Sequence, residues 1–453
     1  MFYVLLFYFI SQVFEIRSNI SFFSGNSKRT LGLQDQILYP AYEGFFLSRG
    51  MNLNNSVFFA FVLDSDVSAK IVAEPFFSYP RQEEPIYLHR FSSSLGYKFF
   101  FIEGGKDTIS LGPGVHNSLL LSRNIRPQNF FAPKIKDLEL PCIGNFCLGA
   151  LSFTTGFIFA DDDSYKFPDP TFWIMSFSWD IWALRLGASR IIGFGGKGGW
   201  KPKNLKDYFD LFTAKYENAI GVCDWIQDEQ EKKRCYDYWS SRDTNQVAEV
   251  FGVVKFSEIM KNFGVELFED LSGYFEYGGD DIVACWQVED KRIKSCFPSP
   301  FGFTDAGWVV GLQGITRNDW LFQIEYTWFN KMRKFYAHSN YPMIVNGKYL
   351  GAHNGPLSDD IWIKVAKNLY GLYVGGVFHF TSRWSGLYQI QEKTYEFGPR
   401  ISFDFDGDSK TLGFSPTIYI VKNPDSGDNP FEPNFRIGTF VDFSISFVFI
   451  SRF

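Results

Sequence analysis

The segment from Asn434 to Phe453 alternates with a period of two. Phe435, Ile437, Thr439, Val441, Phe443, Ile445, Phe447, Phe449, Ser451 and Phe453 share one face. Asn434, Arg436, Gly438, Phe440, Asp442, Ser444, Ser446, Val448, Ile450 and Arg452 share the other. The first face is apolar but for Thr439 and Ser451; the second is mostly polar or small. That pattern places a strand between two different solvents. It recurs. Trp320, Phe322, Ile324, Tyr326 and Trp328 oppose Gln323, Glu325 and Thr327, and Phe397, Ile401, Phe403 and Phe405 oppose Arg400, Ser402 and Asp404. A Glu behind an aromatic face requires a wet or hydrogen-bonded interior. An amphipathic edge strand of a soluble sandwich carries the same local pattern; its recurrence favours the wall of a barrel.

Strand-like runs cover 56–63, 69–79, 95–102, 146–159, 172–179, 182–192, 248–256, 264–271, 273–277, 308–315, 320–328, 372–380, 397–405, 411–420 and 434–453. The expectation is an all-β, antiparallel transmembrane barrel of about 16–18 strands, with long structured loops plugging its lumen. The loops are 109–131, rich in Gly, Pro and Asn around an apolar knot at Leu119–Leu121, then 201–246 and 331–360. A short helix is expected at 33–47, and helical character within 201–246. Gly193, Gly195 and Gly198 spell G-x-G-x-x-G, but no helix pattern opens on them and no βαβ unit surrounds them, so they form a turn. Met1–Ile10 is too short to span a bilayer as a helix and suits a secretory core, although no Lys or Arg precedes it. The expected division is a leader over 1–18, a periplasmic segment over 19–54 and a barrel over 55–453. A buried N-terminal strand is the other option for the first residues.

Composition sharpens this picture. A formal charge of −6 lacks the basic footprint of a nucleic-acid binder. Aromatics make up 19% of the chain, with 53 Phe, more than one soluble core requires and suited to an apolar outer wall with aromatic rims. Mean hydropathy is only −0.11 and no apolar run spans a bilayer as a helix, so any membrane span is a closed barrel. Six cysteines fall in neighbouring pairs: Cys142 with Cys147, Cys223 with Cys235, Cys285 with Cys296. Such pairs suit loop-stapling disulfides in an oxidising compartment. A continuous helix would hold Cys223 and Cys235 roughly 18 Å apart, so a bridge there demands a break in the helix.

The loops carry a family resemblance. Gly112-Pro113-Gly114, then Ser118 to Ser122, Asn124, and Arg126-Pro127, resemble a segment of the capsule assembly Wzi family. Trp182–Gly198, with Ser189-Arg190 and its Gly-rich turn, is similar to another, as are Asn245-Gln246 and the series from Glu325 through Tyr336, His338, Tyr341 and Tyr349 to Gly351. The terminal strand ending in Phe453 resembles the sorting signal read by the barrel-assembly machinery. The resemblance implies a plugged, eighteen-stranded outer-membrane barrel, lipid-embedded and monomeric, that holds capsular or other surface polysaccharide without catalysis.

Candidate chemistry is sparse. No G-x-S-x-G or H-E-x-x-H occurs, and no cofactor, metal or catalytic residue is expected. Asp161–Asp163 suits a solvated turn better than a Ca²⁺ site; His116 and His338 suit structural hydrogen bonds better than catalysis. Sugar contact calls for aromatic faces and polar planar groups, which the loops offer in Trp200, Trp225, Trp239 and Trp286, with Lys197, Arg234 and Arg242 for acidic sugars. A porin or substrate-specific channel is the alternative, and an outer-membrane hydrolase a more distant one. Non-reduced peptide mapping is expected to recover Cys285 linked to Cys296; a free thiol at either position contradicts the pairing.

Overall fold

A computed structural model describes residues 11–25, 50–64, 67–79, 86–144, 146–213, 223, 226–240, 242–282, 303–330, 335–336, 338, 340–346, 348–370, 372–384, 391–405, 410–422 and 435–451. Strands come first: β1 Ser11–Gly25, β2 Gly50–Asp64, β3 Val67–Tyr79, β4 Ile86–Tyr97, β5 Phe100–Asp107 and β6 Gln128–Glu139. A small hairpin, β7 Cys142–Ile143 and β8 Phe146–Cys147, precedes β9 Ala150–Phe159, β10 Thr171–Ile181 and β11 Leu184–Phe194. Helices α1 Leu205–Phe212 and α2 Glu229–Ser240 lead to β12 Asn245–Lys255, helix α3 Phe256–Asn262, β13 Phe268–Ile282, β14 Phe303–Thr316 and β15 Trp320–Phe329. A second small hairpin, β16 Ile344–Val345 and β17 Lys348–Tyr349, precedes β18 Ser358–Leu369, β19 Leu372–Trp384, β20 Gln391–Phe405, β21 Lys410–Lys422 and β22 Phe435–Ser451.

Leaving the two small hairpins aside, each strand pairs antiparallel with the next, in a single sheet of 18 strands. The last pairs with the first: Gln12 stands opposite Ser451 and Gly25 opposite Gly438. The sheet is therefore a closed ring, in which each described strand has a paired neighbour on both sides and no edge strand is left. No helix among the described residues is long and apolar enough to cross a membrane.

Connections alternate between two rims. Among the described residues, 108–127, 160–170 and the described parts of 195–244 and 330–357 leave one rim; 98–99, 140–144, 182–183, 256–267 and 317–319 leave the other. Short turns face the periplasm and long loops the exterior in barrels of this kind. Tyr97, Trp182, Trp320 and Tyr370 are all exposed at the short-turn rim, where aromatic rings sit at a bilayer interface. Along the wall, Phe153, Phe177, Phe275, Val310, Ile324 and Val374 are exposed large apolar side chains, an outward belt suited to lipid rather than water.

Several boundaries differ from the sequence expectation. β1 and the first residues of β2 occupy positions assigned to a leader and a periplasmic segment, so the wall begins at Ser11; β1 supplies the partner that β22 needs to close the ring. The run 95–102 is the tip of a hairpin, with Lys98 turning at φ 53°. The runs 264–271 and 273–277 belong mainly to one strand, β13, bent by an irregularity at Phe268/Asp270. The segment 146–159 divides because Cys142 and Cys147 face each other across a two-residue hairpin and are disulfide-linked. Cys223 and Cys235 are also bonded, with Cα atoms 5.6 Å apart. The required break exists: Cys223 precedes α2, which starts only at Glu229. Cys285, Cys296, Trp225, Trp286, Phe453 and the helix expected at 33–47 lie outside the described residues.

Val310 lies near the middle of β14, facing outward opposite Phe275. Val310→Arg is expected to destabilise the membrane-inserted barrel by about 2–4 kcal/mol, the cost of a cation at the bilayer midplane. Urea unfolding in lipid vesicles measures this; wild-type stability would contradict the outward assignment.

Candidate functional site

The lumen is filled by two segments of chain, 108–127 and 335–357. The apolar knot Leu119, Leu120 and Leu121 is 0–1% exposed. It packs with Phe335, Tyr336, Met343, Val345 and Leu350 of the second segment against inward wall residues such as Phe172, Ile174, Ile191, Val247, Val309 and Phe329. The two segments bond to each other directly. Leu350 carbonyl accepts the Ser122 amide at 2.8 Å, Gly351 carbonyl accepts the Ser122 hydroxyl at 2.6 Å, and Tyr349 carbonyl accepts Asn124 Nδ2 at 3.0 Å. Tyr336 donates its hydroxyl to Leu119 carbonyl.

Two wall carboxylates hold this plug. Glu276 on β13 accepts the amides of Gly114 and Leu119, each at 2.7 Å. Glu325 on β15 accepts those of Val115 at 2.9 Å, His116 at 3.1 Å and Asn117 at 2.6 Å, plus the Tyr274 hydroxyl at 2.6 Å. Both carboxylates are at most 1% exposed. Buried carboxyl groups are tolerated only when their oxygens are hydrogen-bonded in this way. The Gly-Pro-Gly motif supplies the geometry. Gly112 has φ +84° and a Cβ there would stand 2.4 Å from Glu276 Oε1; a Cβ on Gly114 would meet Asn117 carbonyl at 1.7 Å. Pro113 between them has no amide to satisfy. Ser118 donates its hydroxyl to Leu111 carbonyl and closes the turn.

The other motif residues are scaffolding too. Asn245 donates to Tyr341 carbonyl at 2.8 Å, and Tyr341 donates its hydroxyl to Gly195 carbonyl at 3.0 Å. His338 Nδ1 accepts the amides of Asn340 and Tyr341 at 3.2 Å, so its proton sits on Nε2, facing Asp243 at 3.4 Å. Burial holds the Tyr336 and Tyr341 hydroxyls above the phenol range, so both remain donors. Arg190 bonds Gln246 and the Phe212 carbonyl. Arg126 and Pro127 end the first plug segment, where Gln128 Nε2 donates to Arg126 carbonyl at 2.9 Å.

The aromatic candidates sit elsewhere, at the long-loop rim. Trp200 and Trp239 are half-buried against Ile192, Phe194 and Leu211, together with Phe157, Trp173, Met175 and Tyr208. Ile192 stands opposite Trp173, and Trp173 opposite Phe157, on the face turned away from the lumen. The 195–244 insertion therefore folds over the outer wall, and α1 presents Leu205, Phe209 and Phe212 as exposed apolar side chains. Lys197 is exposed and pairs with Asp163 and Asp169, whose carboxylates raise its pKa. Arg242 lies over the Tyr238 ring at 4.3 Å, and Arg234 is exposed on α2. Trp200, Trp239 and Tyr208 thus gather in one cluster, with Arg242 beside it through the Tyr238–Trp239 ring contact.

The sequence did not single out a polar strip inside the wall. Lys70, Ser92, Ser94, Glu103, Asp107 and Lys134 line a cavity of about 190 Å³ between β3 and β6. Alternation carries the signal, since Ser92 and Ser94 of β4 and Glu103 and Asp107 of β5 are spaced by even numbers and so share a face. At the plug–wall junction the ligand-type atoms of His116, His353, Asp360 and His379 lie within 4.8 Å of one another; of these four the sequence singled out His116 alone, as a structural hydrogen-bonding residue.

A family model for capsule assembly protein Wzi matches residues 24–291. Among solved structures, Escherichia coli Wzi aligns with 14% identity and TM-score 0.63, over 95% of this chain and 83% of that one; it is described as an outer-membrane protein involved in group 1 capsule assembly and a carbohydrate-binding β-barrel. OccD3 (OpdP) of Pseudomonas aeruginosa aligns at 10% identity and TM-score 0.51, over 98% and 92% of the two chains. OccAB2 of Acinetobacter baumannii does so at 9% and 0.51, over 97% and 98%. No curated protein matches in sequence.

Glu325→Ala removes the acceptor for three plug amides and one hydroxyl. It is expected to cost about 3–5 kcal/mol, the scale of breaking a buried charged network, and to open 108–127 to protease while the wall still assembles. Wild-type proteolysis and unfolding in this variant would contradict the clasp.

Proposed function

This chain belongs to the capsule assembly protein Wzi family, and on that premise we propose that it is a lectin-like outer-membrane barrel holding capsular or other surface polysaccharide at the cell. The observation that carries the proposal is the filled lumen of a family member: 108–127 and 335–357 occupy the space a transport path would need. What remains for a ligand is the long-loop rim. Long loops face the exterior, where a surface glycan lies.

In this proposal Trp200, Trp225, Trp239 and Trp286, with Lys197, Arg234 and Arg242, carry the sugar contact. Stacking on sugar rings uses partly exposed aromatic faces and is shared among several side chains. Trp200 and Trp239 each keep a partly exposed surface above the apolar cluster they cover. The barrel acts as a monomer embedded in outer-membrane lipid, assembled by the barrel-assembly machinery through its terminal strand, and carries out no reaction.

A channel is the second reading. The polar strip of Lys70, Glu103, Asp107 and Lys134 favours it, because charged inward side chains line aqueous paths.

Replacing Trp200, Trp225, Trp239 and Trp286 together by Ala is expected to release surface polysaccharide into the medium while heat-modifiable migration of the barrel persists. Unchanged retention in this variant and in a full deletion would overturn the proposal. The wild-type barrel is expected to show little conductance in planar bilayers; steady, open-pore conductance would support the channel instead.

A further inference from the structure

His116 comes from the first plug segment and His353 from the second. Asp360 and His379 point inward from adjacent wall strands, β18 and β19. All four are buried, with side-chain exposures of 4%, 2%, 1% and 3%. Each histidine aims Nε2 at the same carboxylate. His379 Nε2 lies 2.7 Å from Asp360 Oδ1, His353 Nε2 3.4 Å from Oδ1, and His116 Nε2 3.4 Å from Oδ2. The His116 ring is stacked on Trp362 at 4.9 Å, which fixes its plane.

Two of these nitrogens have no hydrogen-bond partner: His116 Nε2 and His353 Nε2 are both shut off from solvent without one. The proton on His353 can be placed. Asn117 Oδ1 accepts the His353 amide at 3.2 Å, while Asn117 Nδ2 donates to Thr327 at 3.1 Å and to Asp360 Oδ2 at 3.2 Å. The side-chain amide is thereby oriented with its oxygen toward His353. That oxygen lies 2.6 Å from His353 Nδ1, so Nδ1 carries the proton. The neutral ring then presents a bare lone pair at Nε2 to a carboxylate oxygen, two acceptors facing each other in a buried site. Buried polar atoms are seldom left so. A cation between them removes the conflict. A histidine whose far nitrogen is held by an oxygen acceptor is also the usual arrangement of a metal ligand.

We propose that His116, His353, His379 and Asp360 form a binding site for one divalent transition-metal ion of the Zn²⁺ type, which ties both plug segments to the wall. Three imidazoles and one carboxylate suit such an ion better than Ca²⁺ or Mg²⁺, which take oxygen ligands. Tetrahedral coordination at zinc distances sets ligand atoms about 3.4 Å apart. His353 stands at that distance from Asp360 Oδ1 and His116 from Oδ2; with Asp360 giving one oxygen, His116 must close on Oδ1 and His379 draw back from it by side-chain adjustment. Four protein ligands close the coordination sphere, so the ion is structural and not catalytic. Asp360 keeps a second contact, accepting the Thr381 hydroxyl at 2.6 Å, which orients it. The site is independent of where polysaccharide binds.

The test uses the full chain, extracted from membranes, incubated with Zn²⁺ or Co²⁺ and freed of excess ion. About one ion per chain is expected, with Co²⁺ ligand-field bands of a four-coordinate site and imidazole scattering at the zinc absorption edge. His353→Gln and Asp360→Asn should weaken binding by at least the roughly 10–100-fold seen on losing an outer-shell partner, while heat-modifiable migration is retained. Should either variant fail to assemble, the wild-type metal content and edge spectrum decide. A wild-type barrel at background metal content, an edge spectrum without imidazole, or folded variants with wild-type content would each overturn the proposal.

Discussion

Five backbone amides converge on two buried carboxylates, and the filled state of the lumen depends on them. Glu276 and Glu325 project from the barrel wall into the 112–119 turn and accept Gly114, Val115, His116, Asn117 and Leu119. Neither partner is stable alone in that place. A buried carboxylate without donors pays a heavy desolvation cost, and an irregular loop without acceptors leaves its amides orphaned. Together they satisfy each other, and the loop threads the barrel without regular secondary structure. The apolar knot at Leu119–Leu121 then meets the inward wall, and the second segment closes over it through Ser122, Asn124 and Tyr336.

This arrangement divides the molecule by solvent. Outward residues of the wall meet lipid, the plug fills the lumen against inward residues of β6 to β15, and the polar strip between β3 and β6 lines a small cavity. The rim that carries the long connections is left as the surface available to a large ligand. The 195–244 insertion is not a free arm there. Arg190, Gln246 and the Trp200–Trp239 cluster fasten it to the outside of β9 to β12, so aromatic side chains at this rim have a rigid footing. A metal ion at the junction of His116 and His353 with β18 and β19 would add a second fastening.

Much of this was legible in the sequence, because it is written locally. A period of two needs only neighbouring residues, so β15, β20 and β22 and the inward, hydrogen-bonded state of Glu325 could be read directly. The Gly112-Pro113-Gly114 turn marked a structured loop, and the close-spaced cysteines gave the two described bridges. Failures have equally physical causes. The apolar block Met1–Ile10 drew the barrel boundary too far along the chain, although Phe14, Ile16, Ile20 and Phe22 already alternate. β18 goes unread, its first residues falling in the loop 331–360 and 361–369 carrying no strand reading, because its inward Asp360 and outward Asp359 obscure the polarity contrast. The His116, His353, Asp360 and His379 cluster has no motif spacing at all; closure of the ring and insertion of the plug create it. Trp200 and Trp239 looked like free loop aromatics because sequence does not show that their loop returns to the wall.

Hydrogen–deuterium exchange of the detergent-solubilised wild-type barrel tests the clasp most directly. If Glu276 and Glu325 hold the plug, the amides of Gly114, Val115, His116, Asn117 and Leu119 exchange slowly, on the timescale of the wall strands, despite lying in a loop. Exchange of these amides at the rate of an unstructured segment would contradict it.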